Sequence, residues 1–112
     1  MACIFCKIAL KEVPTKAVFE DPELVVIEDI NPQAPVHMLV IPRIHMPSVL
    51  DAQFPHMGLL GKMILVAKDL AVKYNLQDGF RMVLNTGVRA GQTVPHIHLH
   101  VLAGRQMNWP PG

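Results

Sequence analysis

Apolar and polar residues along this chain follow two different periods, and each change of period marks an element. Residues 24–27 (Leu-Val-Val-Ile) form an aliphatic run dominated by β-branched side chains, which predicts a strand. Residues 36–41 form a second run of this kind, closed by Pro42. Residues 80–84 alternate with period two and predict a strand, residues 94–103 predict the last one, and residues 18–20 fit a short edge strand before the turn at Asp21-Pro22-Glu23. Between residues 55 and 74 the period lengthens. Met57, Leu60, Ile64, Ala67 and Ala71 recur at helical spacing with Leu70 and Tyr74 beside them, and Lys62, Lys68, Asp69 and Lys73 supply a polar face. Residues 5–10 predict a short helix that ends before Pro14, and residues 48–54 carry only a weak pattern. Helix, strands, helix, strands in that order predict an α+β domain built on a mostly antiparallel sheet. The 10 prolines fall largely between these segments, as stiff turns should.

Length and composition narrow the class. At 112 residues the chain fits one domain, and an apolar content of 51% suits a globular core. The net charge is +1 with no basic run, which gives nucleic-acid binding no support. No apolar stretch is long enough for a membrane span, and residues 1–7 lack the long apolar core of a secretory signal, so a cytoplasmic protein is expected. In a reducing compartment Cys3 and Cys6 are expected to bind metal or simply to be buried, rather than to form a structural disulfide. No Walker-type loop exists to support a nucleoside triphosphatase.

The chemistry gathers in His96-Ile97-His98-Leu99-His100-Val101-Leu102. On a strand, alternate side chains share a face, so His96, His98 and His100 should form a row with about 7 Å between successive members, while Ile97, Leu99 and Val101 pack into the core. Three imidazoles in strict alternation with aliphatics are poor solubilising residues and too spread to hold one metal together. Neutral imidazole is a competent nucleophile near pH 7, and a second imidazole can donate to a phosphate oxygen or protonate a leaving group. That chemistry suits attack on phosphorus with a covalent nucleotidyl-imidazole intermediate.

This stretch matches the signature of the histidine triad superfamily, His-x-His-x-His followed by two apolar residues. Asp29-Ile30-Asn31-Pro32-Gln33-Ala34-Pro35-Val36-His37, Val40-Ile41-Pro42, Gly91-Gln92-Thr93-Val94 and the ending Gly104 to Gly112 resemble its Hint branch, so the likeness covers nearly the whole chain. The resemblance implies one domain over residues 1–112, a five-stranded sheet continued across a homodimer, and an ordered tail at residues 104–112 that brings Trp109 toward the partner's site. It implies hydrolysis of the P–N bond of purine nucleoside phosphoramidates, with release of AMP or GMP. Dinucleoside polyphosphate hydrolysis and a nucleotide-binding regulatory scaffold are the alternatives. By resemblance His98 is the nucleophile, His100 contacts the α-phosphate, and His37 and His96 belong to the supporting histidine network. Asp29 holds the ribose, and Ile30 with Phe5 and Ile8 sandwiches the base. Asn85, Gly91 and Gln92 lie on the phosphate side, and Thr93, where the family usually has Ser, lies near the leaving group. His56 stands outside this set.

Cys3-Ile4-Phe5-Cys6 has the spacing of half a zinc site, though a buried thiol pair or a redox dithiol has the same spacing. Some bacterial members resemble this chain in a set of two such cysteines, a histidine after the Ile-Pro strand, and the first triad histidine. The resemblance therefore implies a structural zinc on Cys3, Cys6, His45 and His96.

Overall fold

The computed structural model describes residues 3–112. The elements in chain order are helix α1 (Ile4–Ala9), strands β1 (Ala17–Glu20), β2 (Leu24–Glu28) and β3 (Val36–Pro42), helix α2 (Met57–Lys73), and strands β4 (Phe80–Val83) and β5 (Leu99–Ala103). All five strands join in one antiparallel sheet of order β1-β2-β3-β5-β4. The segment of weak pattern holds two short 3-10 turns, Val49–Asp51 and Phe54–His56, the second leading directly into α2.

β2 and β3 are continuous apolar runs because the sheet is covered on both faces. On one face Leu24, Val26, Met38, Val40, Leu99 and Val101 pack against Met63, Ala67 and Leu70 of α2. On the other, Val25, Ile27, Leu39 and Ile41 pack against Phe5, Ile8 and Ala9 of α1. The buried stripe of α2 is Met63, Ala67, Leu70 and Ala71. It differs from the periodic set read from sequence, since Met57 and Ile64 are exposed and Met63 takes the inward position. Several helical stripes were open to this apolar segment, and the sheet selects the one aligned with Val26, Met38 and Val101.

A helix as short as α1 cannot sustain itself. Arg43, just after β3, holds its C-terminal end by donating to the Ala9 carbonyl, while its Nε donates to the Asp21 carbonyl at 2.7 Å. Across the sheet, Lys62 of α2 bridges Asp21 at 2.6 Å and Glu23 at 2.7 Å.

The last strand is shorter than its alternation suggests: β5 begins at Leu99, and residues 94–98 stand outside the sheet. Pro95 has no N–H to donate, and the Ile97 N–H goes to the Met46 carbonyl at 2.7 Å in the loop after β3. The three triad histidines therefore do not form a straight row on one strand.

Candidate active site and metal cluster

α1 covers only part of its face of the sheet. Beside it lies an open cleft of about 670 Å³, walled by Ile4, Phe5 and Ile8 of α1, with Leu39, His98 and His100 on the sheet side and Asp29, Ile30 and Thr93 at its edges. Ile30 is 100% exposed, which for an isoleucine at the rim of a cleft leaves its apolar surface available to a ligand.

Hydrogen bonds assign the proton positions in this site. His98 is buried, and its Nδ1 lies 2.7 Å from the His96 carbonyl. A carbonyl only accepts, so Nδ1 carries the proton and the Nε2 of neutral His98 keeps its lone pair. The Phe5 ring meets His98 edge-on, with centroids 4.9 Å apart.

The same logic runs through His37 and His100. The Gln33 N–H donates to His37 Nδ1 at 3.0 Å, so Nε2 of His37 carries the proton. That Nε2 donates to His100 Nδ1 at 2.9 Å and lies 3.4 Å from Asp29 Oδ2. His100 Nδ1 is thus an acceptor, and Nε2 of neutral His100 is its donor. Burial, reinforced by the neighbouring His98 and His37 rings, pushes the His100 imidazole down to about 4. Burial also lowers His37, against the opposing pull of Asp29. Asp29 accepts in addition from the Asn31 N–H at 2.9 Å. The site therefore holds a chain of neutral imidazoles ending on a carboxylate. The ring centroids of His98 and His100 are 5.0 Å apart, closer than the strand repeat predicts, because only His100 belongs to β5.

His96 turns away from this group. It is fully buried, and its Nε2 donates to the Pro42 carbonyl at 2.8 Å, so its Nδ1 is a bare lone pair. That lone pair faces Cys3 Sγ at 3.3 Å, Cys6 Sγ at 3.5 Å and His45 Nδ1 at 3.2 Å, while Cys6 Sγ lies 3.2 Å from His45 Nδ1. The four candidate ligand atoms lie within 4.8 Å of one another. Tetrahedral zinc on two sulfurs and two nitrogens places neighbouring ligand atoms about 3.3–3.8 Å apart. The donor set and its spacing fit that ion, whereas weak S–H donors are a poor match for two imidazole nitrogens aimed at one point. Burial, with Cys3 alongside, pushes the Cys6 thiol up.

Other residues singled out from sequence lie elsewhere. Asn85, Gly91 and Gln92 do not line the cleft. Gln92 ties its own loop to the loop after β3: Oε1 accepts from the Gly87 N–H at 2.9 Å, and Nε2 donates to the carbonyls of Pro47 at 2.6 Å and Val94 at 3.0 Å. A β-carbon built on Gly91, which takes a left-handed conformation, would meet the Asn85 side chain at 4.0 Å. His56 caps the second 3-10 turn by accepting from the Gln53 N–H. Trp109 is exposed, and the tail before it is tied down by Arg81 donating to the Asn108 carbonyl at 2.7 Å and Arg105 donating to the Gln33 carbonyl at 3.1 Å. Sequence reasoning missed Gln33 and Pro42, whose main-chain groups set the protonation of His37 and His96. No side-chain pattern could announce them.

Comparison with known proteins places this geometry among relatives. A family model described as "Scavenger mRNA decapping enzyme C-term binding" matches residues 2–109. The chain is similar to the crystal structure of a HIT family hydrolase from Legionella pneumophila Philadelphia 1, with a TM-score of 0.97 and 46% identity, covering 99% of this chain and 100% of that one. A histidine triad protein from Clostridium difficile superposes with a TM-score of 0.92 at 39% identity, covering 96% of this chain and 95% of that one. A "14 kDa zinc-binding protein" of Zea mays is 47% identical over 111 residues, covering 97% of this chain and 87% of the relative.

Proposed function

The chain belongs to the histidine triad family, and from that premise we propose that it hydrolyses the P–N bond of purine nucleoside 5′-phosphoramidates with His98 as nucleophile. The observation that carries this reading is the His98 tautomer: Nδ1–H is held on the His96 carbonyl, which leaves an Nε2 lone pair on a rigid imidazole in the cleft wall. In the first step Nε2 bonds to the α-phosphorus as the P–N bond breaks and the departing nitrogen takes a proton from solvent, giving a nucleotidyl-histidine and the free amine. Water then cleaves the phosphorus–histidine bond and releases AMP or GMP. Over both steps one water is consumed, its OH going to phosphorus and its remaining proton to the amine. His100, neutral and fixed as an Nε2–H donor, stabilises a phosphoryl oxygen through a preorganised hydrogen bond. His37 and Asp29 hold His100 in that state. Asp29 is also placed to accept from ribose hydroxyls, and Phe5, Ile8 and Ile30 supply apolar surface for a base. Thr93 sits at the edge of the cleft, on the side assigned to the leaving group. Asn85, Gly91 and Gln92 act on the phosphate side through the loop they shape.

Cys3, Cys6, His45 and His96 would hold a structural zinc, whose chemistry is to lock α1 to the loop after β3 and the segment before β5; with four protein ligands the ion offers no open position for substrate. Free thiols in this arrangement suit a cytoplasmic setting. Among the described residues no helix is long and apolar enough to cross a membrane. We read residues 1–112 as one histidine triad domain with 104–112 as its tail. A homodimer is supported by β4, an edge strand with an unpaired side, and by exposed apolar side chains at Leu65 and Val72 of α2 and Met82 of β4.

A second reading, hydrolysis of dinucleoside polyphosphates, shares the His98 step. The test is turnover of adenosine 5′-phosphoramidate by the wild type and by His98→Ala, with diadenosine triphosphate alongside. Phosphoramidate turnover lost in the variant is the expected result. Faster cleavage of diadenosine triphosphate would transfer the assignment to the second reading. Tight AMP binding without turnover of either substrate would leave a nucleotide-binding scaffold.

A further inference from the structure

We propose that metal binding at Cys3, Cys6, His45 and His96 and nucleotide binding in the adjacent cleft are thermodynamically coupled, each tightening the other. The inference rests on the nucleotide-binding reading above and adds a dependence between the two sites.

The two sites share two pieces of backbone. The first is the N-terminal end of α1. Cys3 stands at its N-cap position and Cys6 in its first turn, and the helix has no side-chain N-cap. Phe5, between the two thiols, is buried and projects into the cleft wall. Its ring meets His98 edge-on at 4.9 Å and His96 edge-on at 5.9 Å between centroids. Arg43 secures the opposite end of the helix. The end that carries Phe5 is therefore held by side-chain packing and by the thiol–imidazole cluster. The second shared piece is His96. Its ring belongs to the cluster through Nδ1, while its main-chain oxygen accepts the His98 Nδ1 proton.

Without a cation, the cluster offers α1 only weak sulfur hydrogen bonds, and a helix of six residues has little intrinsic stability to fall back on. A nucleotide whose base packs on Phe5 and Ile8 must order that same helix. Whichever ligand binds first removes part of the ordering cost for the other, and linkage requires the two effects to be equal. The zinc cluster then acts as a positioning device for the nucleotide wall and the nucleophile, beyond stabilising the fold.

The test measures both arms on the full chain. AMP binding is measured by calorimetry for the zinc-loaded and the chelator-treated chain. Zinc affinity is measured by competition with a chromogenic chelator, with and without saturating AMP. Zinc should tighten AMP binding about ten-fold, inside the range usual for coupled sites, and AMP should tighten zinc by the same factor. The chelator arm starts from the folded, loaded chain, so it reads the coupling even where the zinc-free chain unfolds; zinc affinity unchanged by AMP overturns the proposal. Equal AMP affinities for the loaded and zinc-free chains overturn it too, and leave the nucleotide reading intact. Absence of AMP binding in both forms overturns both. His45 is exposed and does not line the cleft, so His45→Ala weakens the metal site without touching the nucleotide wall. Its AMP affinity should fall with its zinc content and recover as zinc is raised; wild-type AMP affinity in a zinc-free His45→Ala chain contradicts the coupling.

Discussion

Gly104 crosses Pro35 so closely that a β-carbon on the glycine would sit 2.8 Å from the proline Cβ, and its φ of +94° is one that side-chain-bearing residues rarely adopt. The crossing clamps the loop before β3, and that loop supplies the Gln33 N–H that fixes the His37 tautomer. Arg105, the next residue, donates to the carbonyl of the same Gln33. The tail is thus joined to the histidine chain through a single residue's main chain.

Gly104→Ala should therefore displace Pro35 and Gln33 and loosen His37. Strain and steric overlap together should cost about 2 kcal/mol or more in denaturant unfolding. Phosphoramidate turnover should fall further than the stability loss alone explains, and nitrogen NMR of His37 should show mixed tautomers. A single unchanged tautomer in a folded variant would mean that the loop is held by something else.

Stability should depend on pH through His100. Its folded value of about 4 lies below the ordinary histidine value of 6.5, so the unfolded chain binds more protons between those limits. The stabilisation is complete above pH 6.5 and is lost as pH falls toward 4, by on the order of 3 kcal/mol. His37, also lowered, acts in the same direction. Unfolding curves of the wild type and His100→Gln across this window isolate the effect, since acid release of metal is common to both. Parallel pH dependences would remove His100 from the account.

The candidate zinc ligands make a stoichiometric prediction. Purified chain should contain one zinc per protomer by elemental analysis, and Cys6→Ser should lose most of it. Because metal binding contributes directly to folding free energy, the loss should lower the melting temperature by ten degrees or so. A metal-free wild type that melts at the same temperature as the loaded protein would reduce the cluster to a group of packed thiols.

Gln92 separates a loop staple from a ligand contact. Its side chain makes two hydrogen bonds within its own loop and one to the Pro47 carbonyl in the loop after β3, so Gln92→Ala should cost about 2 kcal/mol of stability. Its effect on KM should be smaller than its effect on stability. A large rise in KM with unchanged unfolding would restore the direct phosphate contact that the family resemblance implies.

Much of the scaffold can be read along the chain. β2 and β3 are evident because central strands buried on both faces must be apolar throughout, and α2 because a long amphipathic segment admits one period. The boundary of β5 is less legible. Alternation continues back to His96, but Pro95 and the bond from Ile97 to Met46 take residues 94–98 out of the ladder. Which residues of α2 face inward is likewise a property of the sheet beneath it, since Met57 and Ile64 satisfy helical spacing and still lie in solvent.

The candidate site divides in the same way. The histidine run, the Cys-x-x-Cys pair and the flanking motifs are sequence properties, because residue type and spacing determine what chemistry is available and which family the chain resembles. Tertiary structure decided how that chemistry is shared out. His96 goes to the thiols because its Nε2 donates to Pro42, across 54 residues of chain. His98 keeps a free Nε2 because a main-chain carbonyl takes its other proton. His100 joins His37 and Asp29 because β3 and β5 pair in a register that sets Leu39 opposite His100. Proton positions depend on acceptors brought close by folding, and a one-dimensional pattern of side chains carries no record of where those carbonyls will be.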